Sequence, residues 1–377
     1  MLFYFIFGGI LILISGFSKS KQFRVRNCRV QVSMLLLVYA ILALFIGLRD
    51  SLGLDDQMYI TCFEQIKRLG YTWRDIEKVF VWLSNFSISR GATYQLVFLL
   101  FSSISCFLLY CINVKFVNKQ SYSIFIAIFL SFCFLDSFTL MRQFLAICLM
   151  TFFYVEMKNN NKLIAIVLMV ISFLVHRASL IVVGICLLLP MIKKIKTKIK
   201  IEILLLLYLF QYVPVAKFVQ NIISNTFLDN YYYLSYYLGS RVEYRFFDNK
   251  IGIVTTVYLI LYCFIIWKRE KNLGNNLISL NVYDDDLSAF SFVYFVLLMA
   301  FSQFGYATRI AYYFSIFTLA YLSNNILIFI KSSDRKYARL IFNFVLLLLF
   351  LYSVYSFCDS EGNRVLIPYK MNYNLFN

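Results

Sequence analysis

The chain has 377 residues, of which 61% are hydrophobic and 15% are charged, and its formal net charge is +17. A soluble domain carries about a quarter charged residues, so this composition excludes an ordinary soluble protein and is typical of an integral membrane protein. The positive excess lies in short loops between apolar runs, where the positive-inside rule accounts for it without a nucleic-acid partner.

Apolar segments of helical length recur from end to end of the chain. Those near fifteen residues are shorter than a usual span, which local bilayer thinning or packing inside a bundle accommodates. The sequence therefore predicts an all-α, polytopic bundle of about twelve transmembrane helices, forming one integral membrane domain over residues 1–377. The predicted spans are 2–17, 30–48, 93–114, 121–135, 141–157, 162–176, 178–192, 201–219, 250–267, 287–305, 307–330 and 340–356.

The loops between these segments alternate in charge. One set holds 21 of the 36 Lys and Arg residues, with the stretches 18–29 and 193–200 contributing most. Short basic loops mark the cytoplasm, so both termini and the two longest loops, 49–92 and 220–250, are predicted outside. In a bacterium this orientation predicts a multi-pass inner-membrane protein with two large periplasmic loops.

Ionisable residues at the ends of the predicted spans are the candidates for chemistry, because charge at or within a membrane segment is costly. All of them fall on the outer side, whereas the acidic run 284–286 is predicted to be cytoplasmic and solvated. The outer candidates are Arg49, Asp50, Asp55, Asp56, Asp136, Arg142, His176, Arg177, Arg241, Glu243, Arg245 and Arg309.

Several arginines around one outer cavity suit a phosphate or pyrophosphate, because guanidinium groups bind phosphate oxygens in a bidentate way and keep their charge. A carboxylate or a histidine beside them could remove a proton from a hydroxyl group. Simpler explanations stay open: Arg142 and Arg309 as snorkelling side chains, His176 as an interfacial residue, and Asp55 and Asp56 as solvated loop residues or helix caps. Because the chain has a single histidine and no metal-ligand spacing, we expect it to need neither a metal ion nor a cofactor.

Four motifs, in order along most of the chain, resemble those of the EpsG-like group of Wzy polysaccharide polymerases. In the third, the serine comes one place later than the group's usual His-x-Ser. A closing Ile367-Pro368-Tyr369-Lys370 is also similar to the group. The motifs are Arg49-x-x-x-Gly53-Leu54-Asp55-x-x-x-Tyr59-x-x-x-Phe63, Met141-Arg142-Gln143-Phe144, His176-Arg177-Ala178-Ser179 and Arg309-Ile310-Ala311-Tyr312-Tyr313.

The resemblance implies a fold like that of multi-span (GT-C-like) glycosyltransferases and a metal-independent activity. Such an enzyme transfers a growing glycan from undecaprenyl pyrophosphate to the next lipid-linked repeat unit. The product would be a surface polysaccharide, with O-antigen favoured by the resemblance alone. The expected partners are the lipid-linked oligosaccharide, the bilayer, a chain-length regulator and a flippase.

The charges suggest a division of roles within such an inverting reaction. Asp55 or His176 would orient or deprotonate the acceptor hydroxyl. The motifs further imply substrate contact by Arg49, Tyr59 and Tyr313. The donor pyrophosphate would be held by Arg142, Arg309, Arg241 and Arg245.

Three other protein classes remain as alternatives. A flippase for the same lipid-linked oligosaccharide would also have about twelve helices and cationic residues. It needs charge that is reachable from both sides of the membrane, whereas here the predicted helix interiors are nearly free of charge. A glycosyltransferase that uses a polyprenyl-phosphate sugar would share the outer aspartate. A membrane acyltransferase would need a histidine deep in the bilayer.

Overall fold

The computed structural model describes residues 1–17, 23–25, 28–30, 34–53, 55–73, 76–213, 251–272, 283–327, 334–357 and 369–376. It divides the chain into two compact units, of which the first comprises Met1–Leu180 with Ser323–Asn377 and the second Ile181–Leu322. The predicted loop 220–250 lies outside the described residues, and with it Arg241 and Arg245.

Most helices of the first unit follow the predicted apolar segments, whereas two of them lie within the predicted loop 49–92. The helices are α1 (Leu2–Gly16), α2 (Met34–Gly47), α3 (Asp56–Leu69), α4 (Lys78–Ser89), α5 (Tyr94–Phe116), α6 (Tyr122–Phe132), α7 (Phe134–Thr139), α8 (Met141–Lys158) and α9 (Lys162–Val175), with 3₁₀ turns at Lys119–Ser121 and Arg177–Leu180. α6 and α8 form the core: nearly every residue of α6 is buried, between α1 and the last helix, while α8 packs between α5 and α9. A short antiparallel ribbon joins the strands β1 (Phe23–Val25) and β2 (Cys28–Val30).

The second unit is centred on one buried helix that packs against its neighbours on several sides. This helix, α13 (Asp284–Ala300), contacts α10 (Ile181–Lys194), α11 (Thr197–Phe210) and a long 3₁₀ helix over Gly305–Phe314. The other helices of this unit are α12 (Ile253–Asn272) and α14 (Ser315–Asn325), the last of which ends beyond the boundary between the units. The chain then continues into α15 (Arg335–Ser356) of the first unit.

Every predicted apolar segment contains a helix, so the helical architecture is confirmed for the described residues. By length and composition, α5 and α15 are long and apolar enough to cross a bilayer. Arg177–Lys194 and Thr197–Phe210, bent by 118° at their junction, count as a third span if they act together. α1, α2 and α9 are apolar but shorter, so the figure of twelve spans stays a prediction.

Apolar side chains also cover much of the outer surface. Leu163 on α9, Leu187 on α10 and Ile341 on α15 are 64% to 76% exposed. So extensive an apolar surface is unfavourable in contact with water, whereas lipid tails would cover it. The surface therefore agrees with the composition in indicating a membrane protein.

The predicted solvation of the acidic run at the start of α13 is wrong for two of its three residues. Asp284 and Asp286 are buried, and only Asp285 has a mostly exposed side chain. Asp286 is buried because Lys193 of α10 reaches it and forms an ion pair of 2.8 Å. The sequence pattern could not reveal this contact, because the two partners lie far apart in the chain.

α2 and α5 pack closely against each other just before the first large loop begins. A Cβ at Gly47 would lie 2.4 Å from Oγ of Ser102 and 2.8 Å from Cα of Leu99, so only glycine fits at the end of α2. Two hydrogen bonds bridge the same contact: Ser102 donates to the Ala43 carbonyl at 2.9 Å, and the Gln95 amide donates to the Gly47 carbonyl at 2.6 Å.

We expect Gly47→Ala to destabilise the protein, because the added methyl forces α2 away from the backbone of α5. Overpacking of this kind costs about 1–3 kcal/mol. The matched control is Gly9→Ala in α1, where the nearest atom to an added Cβ is 4.0 Å away. Thermal unfolding of both variants in detergent tests this packing, and equal midpoints for the two would contradict it.

Candidate functional site

Arg49, which follows α2, forms a bidentate ion pair with Asp56, the first residue of α3. Nη2 lies 2.7 Å from Oδ1 and Nε lies 2.9 Å from Oδ2, and both side chains are fully buried. The guanidinium also donates to two backbone carbonyls, Nη1 to Ile46 at 2.7 Å and Nη2 to Phe138 at 3.0 Å. Because its polar atoms are so fully engaged, this pair fixes the start of the first large loop against the end of α7.

Gly53 and two aromatic rings enclose the Arg49–Asp56 pair. The Gly53 N–H donates to Oδ2 of Asp56 at 2.7 Å, and a Cβ at this residue would lie 2.7 Å from the Phe138 carbonyl oxygen. The Phe98 and Phe138 rings lie 4.6 and 5.5 Å from the guanidinium carbon. The glycine of the first motif is therefore required by a close backbone approach, and the rings shield the cation from water.

Arg142, Tyr59 and Glu77 form a second group, here called the Arg142 cluster. Nε of Arg142 lies 3.4 Å from the Tyr59 hydroxyl, and its guanidinium carbon lies 5.2 Å from the centre of the Tyr59 ring. Nη1 forms an ion pair with Glu77, which immediately precedes α4. The side chains of Arg142 and Glu77 are 14% and 13% exposed, so the cluster combines charge with partial access to solvent.

The N-terminus of α8 adds positive potential to the Arg142 cluster. Arg142 is the second residue of α8, and Leu140 at the N-cap provides no side-chain hydrogen bond. The first N–H groups of a helix carry a partial positive charge and are well suited to phosphate oxygens. A guanidinium beside such an end is an arrangement that favours an anionic ligand.

Phe98 and Phe138 connect the two groups. The Tyr59 ring of the Arg142 cluster packs edge-on against Phe98 at 6.3 Å, and Phe98 also covers the Arg49 guanidinium. Arg49 binds the carbonyl of Phe138, which lies one helical turn before Arg142 in the sequence. The buried pair therefore supports the segment from which Arg142 projects.

His176 lies beside the same helix, at the C-terminal end of α9. Its backbone N–H donates to the carbonyl of Ser172, and the Ser172 hydroxyl donates to the carbonyl of Ala146 in α8 at 3.2 Å. His176 is partly exposed, with backbone in the extended region. Ser179, three residues later, is fully buried, and its hydroxyl has no hydrogen-bond partner within the described part of the chain.

Asp55 occupies the N-cap position of α3, where it is partly buried and its side chain makes no capping hydrogen bond. The four-residue spacing predicts that Tyr59 and Phe63 share a face with it, and both rings are buried on the inner side of α3. Asp55 therefore starts the helix that carries Tyr59 into the Arg142 cluster.

The C-terminal residues 369–376, here called the C-terminal strap, close both ends of the first large loop. The Lys370 carbonyl accepts from the Asp50 N–H at 3.1 Å, and the Leu375 carbonyl accepts from the Thr93 N–H at 2.9 Å. The Tyr369 ring stacks on Phe45 at 4.0 Å and its hydroxyl donates to the Phe45 carbonyl. Burial raises the pKa of the Tyr369 phenol, against the opposing charge of Arg49, so the group stays protonated as a donor.

Two predicted site residues belong to the second unit. Arg309 is partly buried within the 3₁₀ helix over Gly305–Phe314, and Tyr313 is buried near the end of the same helix. No group of three or more His, Cys, Asp or Glu side chains suited to a metal ion occurs within the ranges given above.

Two acidic residues that organise the site were not assigned their roles from the sequence. Asp56 was among the outer candidates, but the first motif drew attention to its neighbour Asp55, and Asp56 is the partner of Arg49. Because Asp56 is fully buried, its interpretation as a solvated residue is wrong. Glu77 was not singled out at all, because its partner Arg142 lies far away in the sequence. Only the position of Glu77 just before α4, in a loop already expected to be functional, gave a signal.

Comparison with known proteins gives one match. The model of the EpsG family matches residues 32–371, which include all four motifs and the start of the C-terminal strap. No curated protein and no solved structure matches the chain. The resemblance read from the motifs is thereby confirmed.

We expect Asp56→Ala to destabilise the first unit strongly, because it leaves the Arg49 guanidinium buried without its counter-ion. Removing one partner of a buried pair costs about 3–5 kcal/mol. Asp50→Ala is the matched control, since Asp50 is close in sequence and has no ion pair among the described residues. Thermal unfolding of the purified protein measures the difference, and a similar small loss for both variants would refute the structural role of the pair.

Proposed function

Because this chain belongs to the EpsG family, whose model covers most of its length, we propose that it is a polysaccharide polymerase of the membrane. Its substrate in this proposal is an oligosaccharide repeat unit linked to undecaprenyl pyrophosphate. The reaction transfers the growing glycan from its lipid carrier to the next repeat unit, and it takes place on the periplasmic face of the bacterial inner membrane. The product is a surface polysaccharide, with O-antigen as the leading class.

The observation that carries the proposal is the Arg142 cluster at the N-terminus of α8. It combines a guanidinium, an uncapped helix end and a phenol in one partly accessible position. Groups of this kind bind a pyrophosphate and stabilise the charge that it gains as a leaving group. We assign Arg142 this role, together with Arg309 and with Arg241 or Arg245 of the second large loop.

The chemistry is a single displacement at the anomeric carbon of the donor sugar. The acceptor hydroxyl oxygen forms a bond to that carbon while the bond to the pyrophosphate oxygen breaks, and undecaprenyl pyrophosphate leaves with the electron pair. Attack from the opposite face inverts the anomeric configuration, through an oxocarbenium-like transition state. The hydroxyl proton passes to a base.

Asp55, His176 and Glu77 are the candidates for this base. Asp55 is the N-cap residue of α3, and His176 is the C-cap residue of α9. Glu77 joins them because its carboxylate already lies against Arg142 and is partly exposed. A bound pyrophosphate would compete with Glu77 for the guanidinium and would release the carboxylate to accept a proton.

Arg49 has a supporting role in this scheme. Its guanidinium is fully buried and occupied by Asp56 and two carbonyls, so it positions the Arg142 segment rather than meeting the sugar. Tyr59 lies between the two groups and would contribute its ring and hydroxyl to the donor site. Tyr313 is proposed to support the Arg309 segment of the second unit.

We expect Arg142→Ala to abolish long polysaccharide chains while the protein reaches the membrane at its normal level. Loss of one preorganised cation at a developing negative charge lowers a rate by about 100- to 1000-fold. The matched control is Arg90→Ala, because Arg90 is exposed and its guanidinium lies over the Phe86 ring. Both variants are introduced into a strain that lacks the gene, and glycan ladders are compared at equal protein levels.

Full-length ladders from Arg142→Ala would refute the assignment of Arg142, and so would ladders lost equally in Arg90→Ala. Arg309→Ala in the same assay tests the second proposed cation.

A parallel set of single variants at these three residues identifies the base. We expect one of Asp55→Asn, Glu77→Gln and His176→Ala to lose polymerisation as completely as Arg142→Ala, since each removes one proton acceptor. Glu202→Gln serves as a control, because Glu202 is 59% exposed on α11. The polymerisation rate in membranes supplied with lipid-linked repeat units measures the effect. Three active variants would exclude these residues and show that a good leaving group makes a base unnecessary.

A further inference from the structure

The second unit contains a polar cavity that the proposed reaction does not use. Its volume is about 350 Å³, within the range of small-molecule sites. It is formed where the turn between α10 and α11 meets the C-terminal end of α12 and the start of α13. The lining contains three cations, two carboxylates and three hydroxyl groups: Lys193, Lys200 and Arg269, Glu270 and Asp285, and Thr197, Ser288 and Tyr321.

Two of the three cations in this cavity are already paired. Nζ of Lys193 lies 2.8 Å from Oδ1 of Asp286, and Nη2 of Arg269 lies 3.3 Å from Oδ1 of Asp285. Burial lowers the pKa of Arg269, but the effects of Tyr321 and of the nearby carboxylates outweigh it, so its pKa lies above the ordinary value. Arg269 therefore remains charged, and a carboxylate accompanies each of these two cations.

Lys200 is the exception. Its residue is only 8% exposed, and among the described residues its ammonium forms no direct ion pair. Burial lowers the pKa of Lys200, and the charge of Asp285 opposes this effect. The Phe292 ring lies beside it, with its centre 5.8 Å from Nζ. Two carboxylates also line the cavity: Asp285 pairs with Arg269 and has a side chain that is 78% exposed, and Glu270 is exposed. A largely buried lysine without a direct ion-pair partner is costly, and an anion bound in the cavity would supply that partner.

The start of α11 faces the same cavity. Thr197, its first residue, lines the cavity, and Lys196 at the N-cap gives no side-chain hydrogen bond. The free N–H groups of a 14-residue helix attract anions, and the Thr197 and Ser288 hydroxyls are further donors. A helix N-terminus, a buried ammonium and a guanidinium together form the donor set that proteins use for phosphate.

We propose that this cavity is a binding site for a phosphoryl anion, with Lys200 as its principal charge partner. The ligand is a phosphate group carried either by an anionic lipid headgroup or by a small soluble molecule. The positive-inside rule places the loops around the cavity in the cytoplasm. The site is thus independent of the polymerase reaction proposed for the periplasmic face, and its test does not depend on that activity.

The test uses the full-length protein, purified in detergent and freed of lipid. Phosphatidylglycerol is the lipid probe, with phosphatidylcholine as its zwitterionic reference, and binding is measured by native mass spectrometry. Inorganic phosphate is the soluble probe, with acetate and chloride at equal ionic strength as references, and binding is measured as a rise in unfolding temperature. A response to phosphatidylglycerol alone identifies a headgroup as the ligand, and a response to inorganic phosphate identifies a soluble phosphate.

Three variants make the test specific to Lys200. Lys200→Met should weaken binding of the active probe about tenfold, the effect of losing a charge-assisted hydrogen bond, while Lys200→Arg should retain it. Lys198→Met is the matched control, because Lys198 is two residues away on the same helix and 85% exposed. Without ligand, Lys200→Met should unfold at or above the wild-type temperature, since it removes a buried charge that has no partner.

Two results would overturn the proposal. One is a wild-type protein that binds neither probe more tightly than its references. The other is equal binding by the Lys200→Met and Lys198→Met variants. A marked loss of stability in ligand-free Lys200→Met would also count against it, because it would assign Lys200 a structural partner.

Discussion

The ion pair between Arg49 and Asp56 is the interaction on which the arrangement of the first unit depends. Two charges are removed completely from water and are held by each other, by carbonyl groups and by aromatic rings. Such a pair gains little net stability over an apolar contact. It allows only one geometry, because displacement of either partner leaves a buried charge unpaired. The pair therefore acts as a fixed point from which the surrounding segments are placed.

Three segments meet at this fixed point. The first large loop begins there, α3 starts at Asp56, and the carbonyl of Phe138 ties in the residues that lead to Arg142. The C-terminal strap binds the backbone on either side, at Asp50 and at Thr93. As a result Arg142 lies within contact distance of both Tyr59 and Glu77, which come from other parts of the sequence.

The sequence predicts the helices well and the pairings poorly, for a physical reason. Apolar runs are local, so their length and position follow from neighbouring residues, and each predicted segment contains a helix. An ion pair is not local. The adjacent residues Asp55 and Asp56 are chemically equivalent in the sequence, and only the close approach at Gly53 decides that Asp56 turns inward. The burial of Asp284 and Asp286 was missed in the same way, since Lys193 reaches Asp286 from another helix.

The central claim is that the protein joins lipid-linked repeat units into long chains, and the glycan profile of a strain lacking the gene tests it most directly. Loss of a polymerase leaves export and ligation of single units intact. The account therefore predicts one repeat unit on the acceptor and no longer chains. Absence of even the single unit would identify a step before polymerisation, such as flipping across the membrane, and an unchanged ladder would remove the polymerase assignment altogether.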